Sequence, residues 1–165
     1  MRVLGIDTSL RSTGLGVVES RGNRLTAVEY GRIHNSPKLK LSECLRRLDG
    51  GIREIIARTH PEAVAIEDIF YCKNVRTAVI LGEARGAAIA ACAGAGLPIC
   101  EYSPRRVKQA LVGFGAADKS QVRKMVMAIL GLAEEPQEDA GDALAIAISH
   151  LNTRTLHAAL APKPI

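Results

Sequence analysis

Four carboxylates occupy sequence positions at which an acid can act as a ligand. Asp7 and Glu67 each follow a short apolar run, so each is predicted to end a buried strand. Asp139 and Asp142 lie three residues apart at the start of a predicted helix and project from one face of it. Taken singly, each acid is explained about as well by a structural role as by a ligand role. The structural role is turn capping for Asp7 and Glu67, and a favourable position at the helix N-terminus for Asp139 and Asp142. If the two strands are neighbours and the helix crosses their ends, the acids share one cleft and need cations between them.

The chemistry that such a cluster supports is metal-assisted hydrolysis of a phosphodiester. Mg²⁺ and Mn²⁺ prefer carboxylate oxygens as ligands, and water molecules complete their coordination. Two such ions can clamp a phosphodiester, one activating water and the other stabilising the leaving oxygen. We therefore expect two Mg²⁺ ions per subunit, with Mn²⁺ as the alternative ion. The predicted metal ligands and catalytic residues are Asp7, Glu67, Asp139 and Asp142.

Basic side chains cluster in the sequence segments next to these acids. The chain has 22 Lys and Arg against 17 Asp and Glu, and two of its five aromatic residues stand together as Phe70 and Tyr71. A basic run is usually only a solvated face, and Phe70 could simply close the core. Beside an acidic cleft, however, phosphate contacts and base stacking are the favoured interpretation. The predicted DNA contacts are Phe70, Lys73, Arg76, Arg105, Lys108, Lys119 and Arg123.

The elements that must position these residues follow from apolar periodicity and turn residues. Strands are predicted over residues 1–7, 13–20, 24–34, 63–67 and 97–102, and helices over 41–56, 77–95, 105–112, 118–130 and 138–151. Helix starts are marked by Ser103 before Pro104 and by Asp118 with Gln121 as a capping box. Strands that alternate with helices after a meander predict one α/β domain, residues 1–151, with a five-stranded mixed sheet flanked by helices. Residues 152–165 are an unassigned tail.

Composition excludes several classes of protein. The four cysteines have no CxxC spacing, which favours reduced thiols over a disulfide framework or a zinc site. The longest uncharged stretch, 86–100, is shorter than the ~20 residues of a spanning helix. No signal peptide is visible, because the first apolar run meets Asp7 almost at once. A cytoplasmic location without membrane insertion is expected.

Several sequence motifs together resemble those of the RuvC family of Holliday-junction resolvases, which are bacterial endonucleases with an RNase H-like fold. They are GIDTSLRSTGLGVV, AIEDIFYCKN, LGEARG, EYSPRRVKQALVGFGAADKSQV and DAGDALAIAISH, in the order found in the family. The resemblance covers nearly all of residues 1–150. It implies that the four acids hold divalent metals, that Lys108 and Lys119 support phosphate binding and cleavage, and that Phe70 engages bases at the opened junction.

The same resemblance implies how the protein works in DNA recombination and repair. A homodimer would nick two symmetric strands of a four-way junction, leaving 5′-phosphate and 3′-hydroxyl ends, and would cooperate with the RuvA–RuvB branch-migration complex. The sequence departs from the family at one point. The family usually has Asp-Pro-Gly at its first acid, whereas this chain has Asp7-Thr8-Ser9 and lacks residues suited to a tight turn there.

Three other functions stay open at this stage. A nuclease acting on ribosomal RNA precursors, like the related YqgF proteins, would share the fold. An ATP-binding actin-like or sugar-kinase domain would share a strand-loop motif around Asp7, but such proteins need two domains and about twice this length. A non-cleaving junction-binding module is disfavoured, because acids beside DNA weaken binding unless metals neutralise them.

Overall fold

The computed structural model describes residues 1–68, 74–153 and 163–165. All five predicted strands and all five predicted helices are present, with boundaries within a few residues of those expected. In chain order the elements are β1 (Arg2–Asp7), β2 (Ser12–Arg21), β3 (Arg24–His34), α1 (Leu41–Thr59), β4 (Ala63–Glu67), α2 (Val75–Gly94), β5 (Ile99–Tyr102), α3 (Pro104–Val112), α4 (Lys119–Leu130), α5 (Glu138–Thr153) and β6 (Lys163–Pro164).

The sheet is mixed, and its strand order is β3-β2-β1-β4-β5-β6. The first three strands form the predicted antiparallel meander, and β4 and β5 continue the sheet parallel to β1. The expected number of five strands was wrong by one. In the described residues the sheet has six, because β6 pairs antiparallel with β5. A strand of two residues carries no hydrophobic period, so the sequence pattern gives no sign of it.

Successive residues of the central strands face two different cores. In β1, Leu4 and Ile6 pack with α1 and α2, whereas Val3 packs with α3, α4 and α5. In β4, Ile66 belongs to the first core and Ala65 to the second. Side chains alternate in a strand, so the acids that end β1 and β4 lie on the sheet face covered by α5.

Helix α5 lies directly against the strands because glycines leave room for its backbone. Gly5 and Gly16 are paired across β1 and β2. An ideal Cβ on Gly5 would lie 2.0 Å from the carbonyl oxygen of Ala143 in α5, and one on Gly16 would lie 2.8 Å from the Leu144 nitrogen. Because no side chain separates the helix from the sheet, the first turn of α5 comes close to the end of β1.

The predicted starts of α3 and α4 are confirmed. Ser103 accepts a hydrogen bond from the Arg106 N–H, and Pro104 is the first residue of α3. Asp118 accepts a hydrogen bond from the Gln121 N–H, and the Gln121 side chain accepts one from the Asp118 N–H. These caps fix where the two helices that carry Lys108 and Lys119 begin.

Among the described residues, α2 is the one helix long and apolar enough, by length and composition, to cross a membrane. It packs against α1 and buries Ala84, Ala88 and Cys92. Arg85, near its middle, forms an ion pair with Glu101 of β5. Such contacts are typical of a helix in the outer layer of a folded domain.

Candidate metal centre

Strands β1 and β4 are parallel neighbours, and each ends in a carboxylate. Their register pairs Ile6 with Ile66, so Asp7 and Glu67 follow at the same edge of the sheet. The adjacency of the two acid-bearing strands, on which a shared cleft depends, is present. The carboxyl ends of parallel strands are where α/β domains form binding crevices.

A cleft of about 320 Å³ opens at this edge of the sheet. Asp7, Glu67 and Asp142 supply its acidic lining, and Lys108 and Lys119 supply its basic lining. The other lining residues are apolar and come from α3, α4 and α5: Pro104, Val107, Val122, Ala145 and Ile146. Three acids from three separate elements therefore meet two cations in one depression.

Asp139 lies near this group, but its carboxylate makes other contacts. Ser12 Oγ donates a hydrogen bond to Asp139 Oδ2, and Arg32 Nη1 lies 3.8 Å from the same oxygen. Asp139 is not among the residues that line the cleft. Three of the four predicted ligands thus share the cleft, while the fourth faces β2 and β3.

The acids of the cleft hold their protons more tightly than exposed acids do. Burial raises the pKa of Asp7 to about 7, and the neighbouring charges of Glu67, Asp142 and Asp139 add to the effect. Burial also raises the pKa of Glu67, with a further contribution from Asp142. The pKa of Asp142 is raised by burial as well, although Lys119 opposes the shift. A cluster with these properties gains stability from a proton or from a cation placed among the carboxylates.

The donor chemistry of the cleft fits a hard divalent cation, since every candidate ligand is a carboxylate oxygen. In the described residues, no group of three or more His, Cys, Asp and Glu side chains is arranged so that it could hold a metal ion as it stands. The contacts of Asp139 with Ser12 and Arg32 account for part of this, because they direct one candidate ligand away from the others. The ligand types fit, but the structure does not show them gathered around one point.

The family profile described as crossover junction endodeoxyribonuclease RuvC matches residues 3–150. The chain belongs to the RuvC family. The resemblance carried by the sequence motifs is thereby confirmed. Nucleases of this family depend in general on a divalent metal, which agrees with the carboxylate lining of the cleft.

Curated relatives and solved structures agree with the family assignment. The RuvC of Trichlorobacter lovleyi is 49% identical over 162 residues, which cover 98% of this chain and 91% of the relative. The RuvC of Citrifermentans bemidjiense is 48% identical over 158 residues, covering 96% of each chain. The structure of T. thermophilus RuvC in complex with Holliday junction substrate superposes with a TM-score of 0.90 at 35% identity, covering 100% of both chains. The RNase H-like fold expected from the motifs is confirmed.

The loop that departs from the usual RuvC motif closes without a positive φ at Thr8 or Ser9. Thr13 Oγ1 accepts a hydrogen bond from the Ser9 N–H and donates one to the Ser9 carbonyl oxygen, at 3.2 and 2.5 Å. Among the described non-glycine residues, His60 is the one with positive φ, so Ser9 does not need the backbone freedom of glycine. The Thr13 hydroxyl, buried under the loop, holds the turn after Asp7 in this RuvC chain.

The predicted DNA contacts fall into several places. Lys108 and Lys119 line the cleft, and Lys119 Nζ lies 2.7 Å from a Glu138 oxygen and 3.6 Å from an Asp142 oxygen. Arg123 forms an ion pair with Glu135, one turn further along α4 from Lys119. Of the predicted DNA contacts that the structure describes, Lys108 and Lys119 are the two that line the cleft with the acids.

The other predicted contacts are separate from the cleft. Arg105 is exposed on α3, and its Cγ lies 2.7 Å from an ideal Cβ built on Gly115. Arg76 lines a different groove, between the β1–β2 loop, α1 and α2. Phe70 and Lys73 lie outside the described residues, so their roles stay predictions.

Sequence patterns missed three residues that contact the acids, and an exposed aromatic residue on the loop between α3 and α4. Ser12 and Arg32 contact Asp139, as described above. Arg85 reaches the backbone of Glu67 from α2. Phe114 is 60% exposed in the loop that joins α3 to α4. A signal for Phe114 is present in the sequence, because an aromatic residue between two glycines on a predicted loop has no helix or strand face to occupy.

Proposed function

We propose that the cleft is the active centre of a metal-dependent, structure-selective DNA endonuclease that resolves Holliday junctions by paired nicks. The observation that carries this proposal is the meeting of Asp7, Glu67 and Asp142 at one sheet edge beside Lys108 and Lys119. The match over the whole chain to a RuvC structure titled as a complex with Holliday junction substrate supports the choice of substrate. DNA recombination and repair is the process in which such an enzyme acts.

All four acids contribute to metal binding in this proposal. Asp7 is the central ligand, because burial and the charges of Glu67, Asp142 and Asp139 all act on its carboxylate. Glu67 and Asp142 complete the cleft. Asp139, in the first turn of α5, would join them once its carboxylate exchanged its contacts with Ser12 and Arg32 for the metal. These four acids would hold two Mg²⁺ ions per subunit, with Mn²⁺ as the alternative ion. When bound, the metal supplies activated water and stabilises the leaving oxygen of the phosphodiester.

The basic side chains bind and orient the DNA backbone. Lys108 and Lys119 stand in the cleft itself, where a scissile phosphate must lie to reach the acids. Their charges also favour the ionised form of the acids: Lys119 acts on the pKa of both Glu67 and Asp142, and Lys108 on that of Glu67. Arg105 and Arg123 lie on the same two helices and extend the contact along the junction arms. Phe70, Lys73 and Arg76, which follow Glu67 in the sequence, complete the proposed set of DNA contacts.

Phe114 is an additional base-contacting residue in this proposal. It stands on the loop between Gly113 and Gly115, and this loop connects the two helices that carry Lys108 and Lys119. Its ring is 60% exposed, although a phenylalanine normally buries its surface. An exposed ring on a loop between two lysine-bearing helices suits stacking on an unpaired base.

Symmetric nicking requires two active centres, so the protein acts as a homodimer. The exposed side of α2 supports this arrangement. Val75 and Val79 are 79% and 56% exposed, and an ideal Cβ on Gly82 or Gly86 meets nothing within 4 Å. An apolar side with small residues lets a second helix approach closely. The cytoplasmic location, expected from the composition, and the RuvA–RuvB complex as partner, implied by the resemblance, belong to the same proposal.

One assay separates this function from its alternatives. Purified protein is incubated with a mobile four-way DNA junction, with a linear duplex of the same sequence and with a structured RNA, with and without Mg²⁺. We expect paired symmetric nicks with ligatable ends. They should occur only in the four-way junction, and only when Mg²⁺ is present. Asp7→Asn should abolish nicking while junction binding in a gel-shift assay survives. Cleavage of the RNA alone, binding without nicking, or equal cutting by the Asp7→Asn variant would contradict the proposal.

A further inference from the structure

An ion-pair network lies behind Glu67, on the side of the sheet opposite the cleft. Its central residue is Glu101 of β5, which is almost fully buried. Arg85 Nη2 of α2 lies 2.8 Å from Glu101 Oε2, and Lys163 Nζ of β6 lies 2.6 Å from Glu101 Oε1. Each oxygen of the buried carboxylate therefore has its own cation, so the charge that Glu101 brings into the sheet is compensated.

The network is joined to the backbone of a proposed metal ligand. Arg85 Nε donates a hydrogen bond to the Glu67 carbonyl oxygen over 3.3 Å. The next residue, Asp68, donates its N–H to the Tyr102 carbonyl oxygen at 2.9 Å, which extends the β4–β5 ladder past the acid. The guanidinium group thus bridges Glu101 and Glu67 with two different nitrogens, which an arginine can do and a lysine cannot.

Burial shows that this contact is built into the fold rather than formed on the surface. The Arg85 side chain is only 15% exposed, although α2 is otherwise an outer helix. Lys163 is exposed, but its strand is fixed by backbone pairing of Glu101 with Lys163 and by a hydrogen bond from Ile165 N to Ile99 O. The contacts run from β6 through Glu101 and Arg85 to the end of β4.

We propose that Arg85 and Glu101 are positioning residues for Glu67, and that Lys163 of β6 holds this pair in place. The proposal rests on the proposed role of Glu67 as a metal ligand. The Glu67 side chain points into the cleft while its carbonyl group is held from the opposite layer, so the pair limits rotation of the strand end. Partners that orient metal ligands in this indirect way commonly change metal affinity by about 10- to 100-fold when they are lost.

The test compares two conservative variants with two controls in the full chain. Arg85→Lys keeps the charge but loses the bridging geometry, and Lys163→Ala removes an exposed side chain whose loss does not open the core. Arg53→Lys changes an exposed ion pair on α1, and Lys38→Ala removes an exposed charge before α1. Binding of Mn²⁺ alone is measured by calorimetry, and amide hydrogen exchange is followed in peptides covering residues 64–68.

Arg85→Lys is expected to weaken Mn²⁺ binding by about tenfold, Lys163→Ala by less, and the controls not at all. Both test variants should also speed exchange at residues 64–68. In junction nicking, Arg85→Lys should need more Mg²⁺ for half-maximal rate but approach the wild-type rate at saturation. A variant that had only lost stability would not combine a higher Mg²⁺ requirement with a wild-type rate at saturating Mg²⁺.

Two results would separate failure of this inference from failure of the proposed function. Wild-type nicking with unchanged Mn²⁺ affinity and unchanged exchange in both folded test variants would overturn the inference alone. Wild-type protein that neither nicks junctions nor binds Mn²⁺ would overturn the proposed function. In that case exchange at residues 64–68 would still decide whether Arg85 and Lys163 hold the end of β4.

Discussion

Gly14 lies so close to Asp139 that an ideal Cβ on the glycine would be 1.8 Å from the Asp139 carbonyl oxygen. Gly14 is also the residue of β2 paired with Asp7 across the β1–β2 ladder. The absence of a side chain at this one position therefore decides how near the first turn of α5 can come to the end of β1. Asp142, one turn further along α5, enters the cleft because of this approach.

Gly14→Ala should displace the start of α5 and impair the enzyme. A displacement of about 1 Å in a catalytic group can cost about 100-fold in rate, so we expect a loss of that order in junction nicking. Crowding against backbone should also lower the free energy of unfolding by about 1–3 kcal/mol. Nicking rates and denaturant unfolding measure the two effects.

Gly31→Ala is the matched control, since Gly31 is also in a strand and an ideal Cβ there meets nothing within 4 Å. It should nick and unfold as the wild type does. Equal nicking rates for the Gly14→Ala and Gly31→Ala proteins would show that α5 tolerates displacement, and that the glycine does not set the geometry of the acids.

The raised pKa of Asp7 predicts how stability changes with pH when metal is removed. Asp7 has a pKa of about 7 in the folded protein, against an ordinary value of 3.8 for an exposed aspartate. Between these two values the folded state binds more protons than the unfolded state, so stability falls as pH rises through this window. Asp7→Asn removes the buried charge and should be more stable than the wild type above pH ~7, by about 1–3 kcal/mol, and no more stable near pH ~4.

Thermal unfolding from acid to alkaline pH in a chelator measures this difference. Asp49→Asn serves as a control, because Asp49 is an exposed acid paired with Arg53 on α1. It should gain no stability above neutral pH. A stability gap between Asp7→Asn and wild type that is the same at pH 5 and pH 8 would mean that the Asp7 carboxyl titrates as an exposed acid does.

The positions of Asp7 and Glu67 were predictable because two simple rules determine them. An apolar run that ends in an acid marks the end of a buried strand, and parallel strands present their carboxyl ends at one edge. The two-residue alternation of side chains then puts both acids on the face that α5 covers. Local sequence contains the strand ends and the alternation, whereas the pairing of β1 with β4 and the packing of α5 come from the tertiary structure.

The orientation of Asp139 was not predictable in the same way. Its carboxylate is held by Ser12 and Arg32, which are more than 100 residues away in sequence and come from β2 and β3. The network of Arg85, Glu101 and Lys163 likewise depends on distances between three elements. Side-chain partners of this kind are fixed by tertiary packing, and no periodicity in the sequence reports them.

Lys119→Ala should slow nicking and shift its pH dependence. Lys119 lowers the pKa of Asp142 and of Glu67, whose values burial raises. Without the lysine both acids should keep their protons to higher pH, so the acidic limb of the pH–rate profile should move towards alkaline pH. Loss of one phosphate contact should also reduce the salt dependence of junction binding by about one unit of slope.

Lys124→Ala provides the comparison for this lysine, since Lys124 is exposed on the same helix but does not line the cleft. It should leave the pH–rate profile unchanged. If both alanine variants gave the same profile, Lys119 would contribute only general positive charge, and its contacts with Asp142 and Glu138 would have no part in catalysis.

Phe114→Ala should weaken binding to the junction while leaving the folded protein intact. The ring is 60% exposed, so its loss removes little buried surface and the melting temperature should stay unchanged. Stacking of a base on an aromatic ring contributes about 1–3 kcal/mol, which corresponds to about a 5- to 150-fold increase in the Kd for a four-way junction.

Phe114→Tyr keeps the ring and should bind as the wild type does. Fluorescence anisotropy with a labelled junction in Ca²⁺ measures both. Equal affinities of the Phe114→Ala protein and the wild type would remove Phe114 from the DNA-binding surface and leave the acids and lysines of the cleft unaffected.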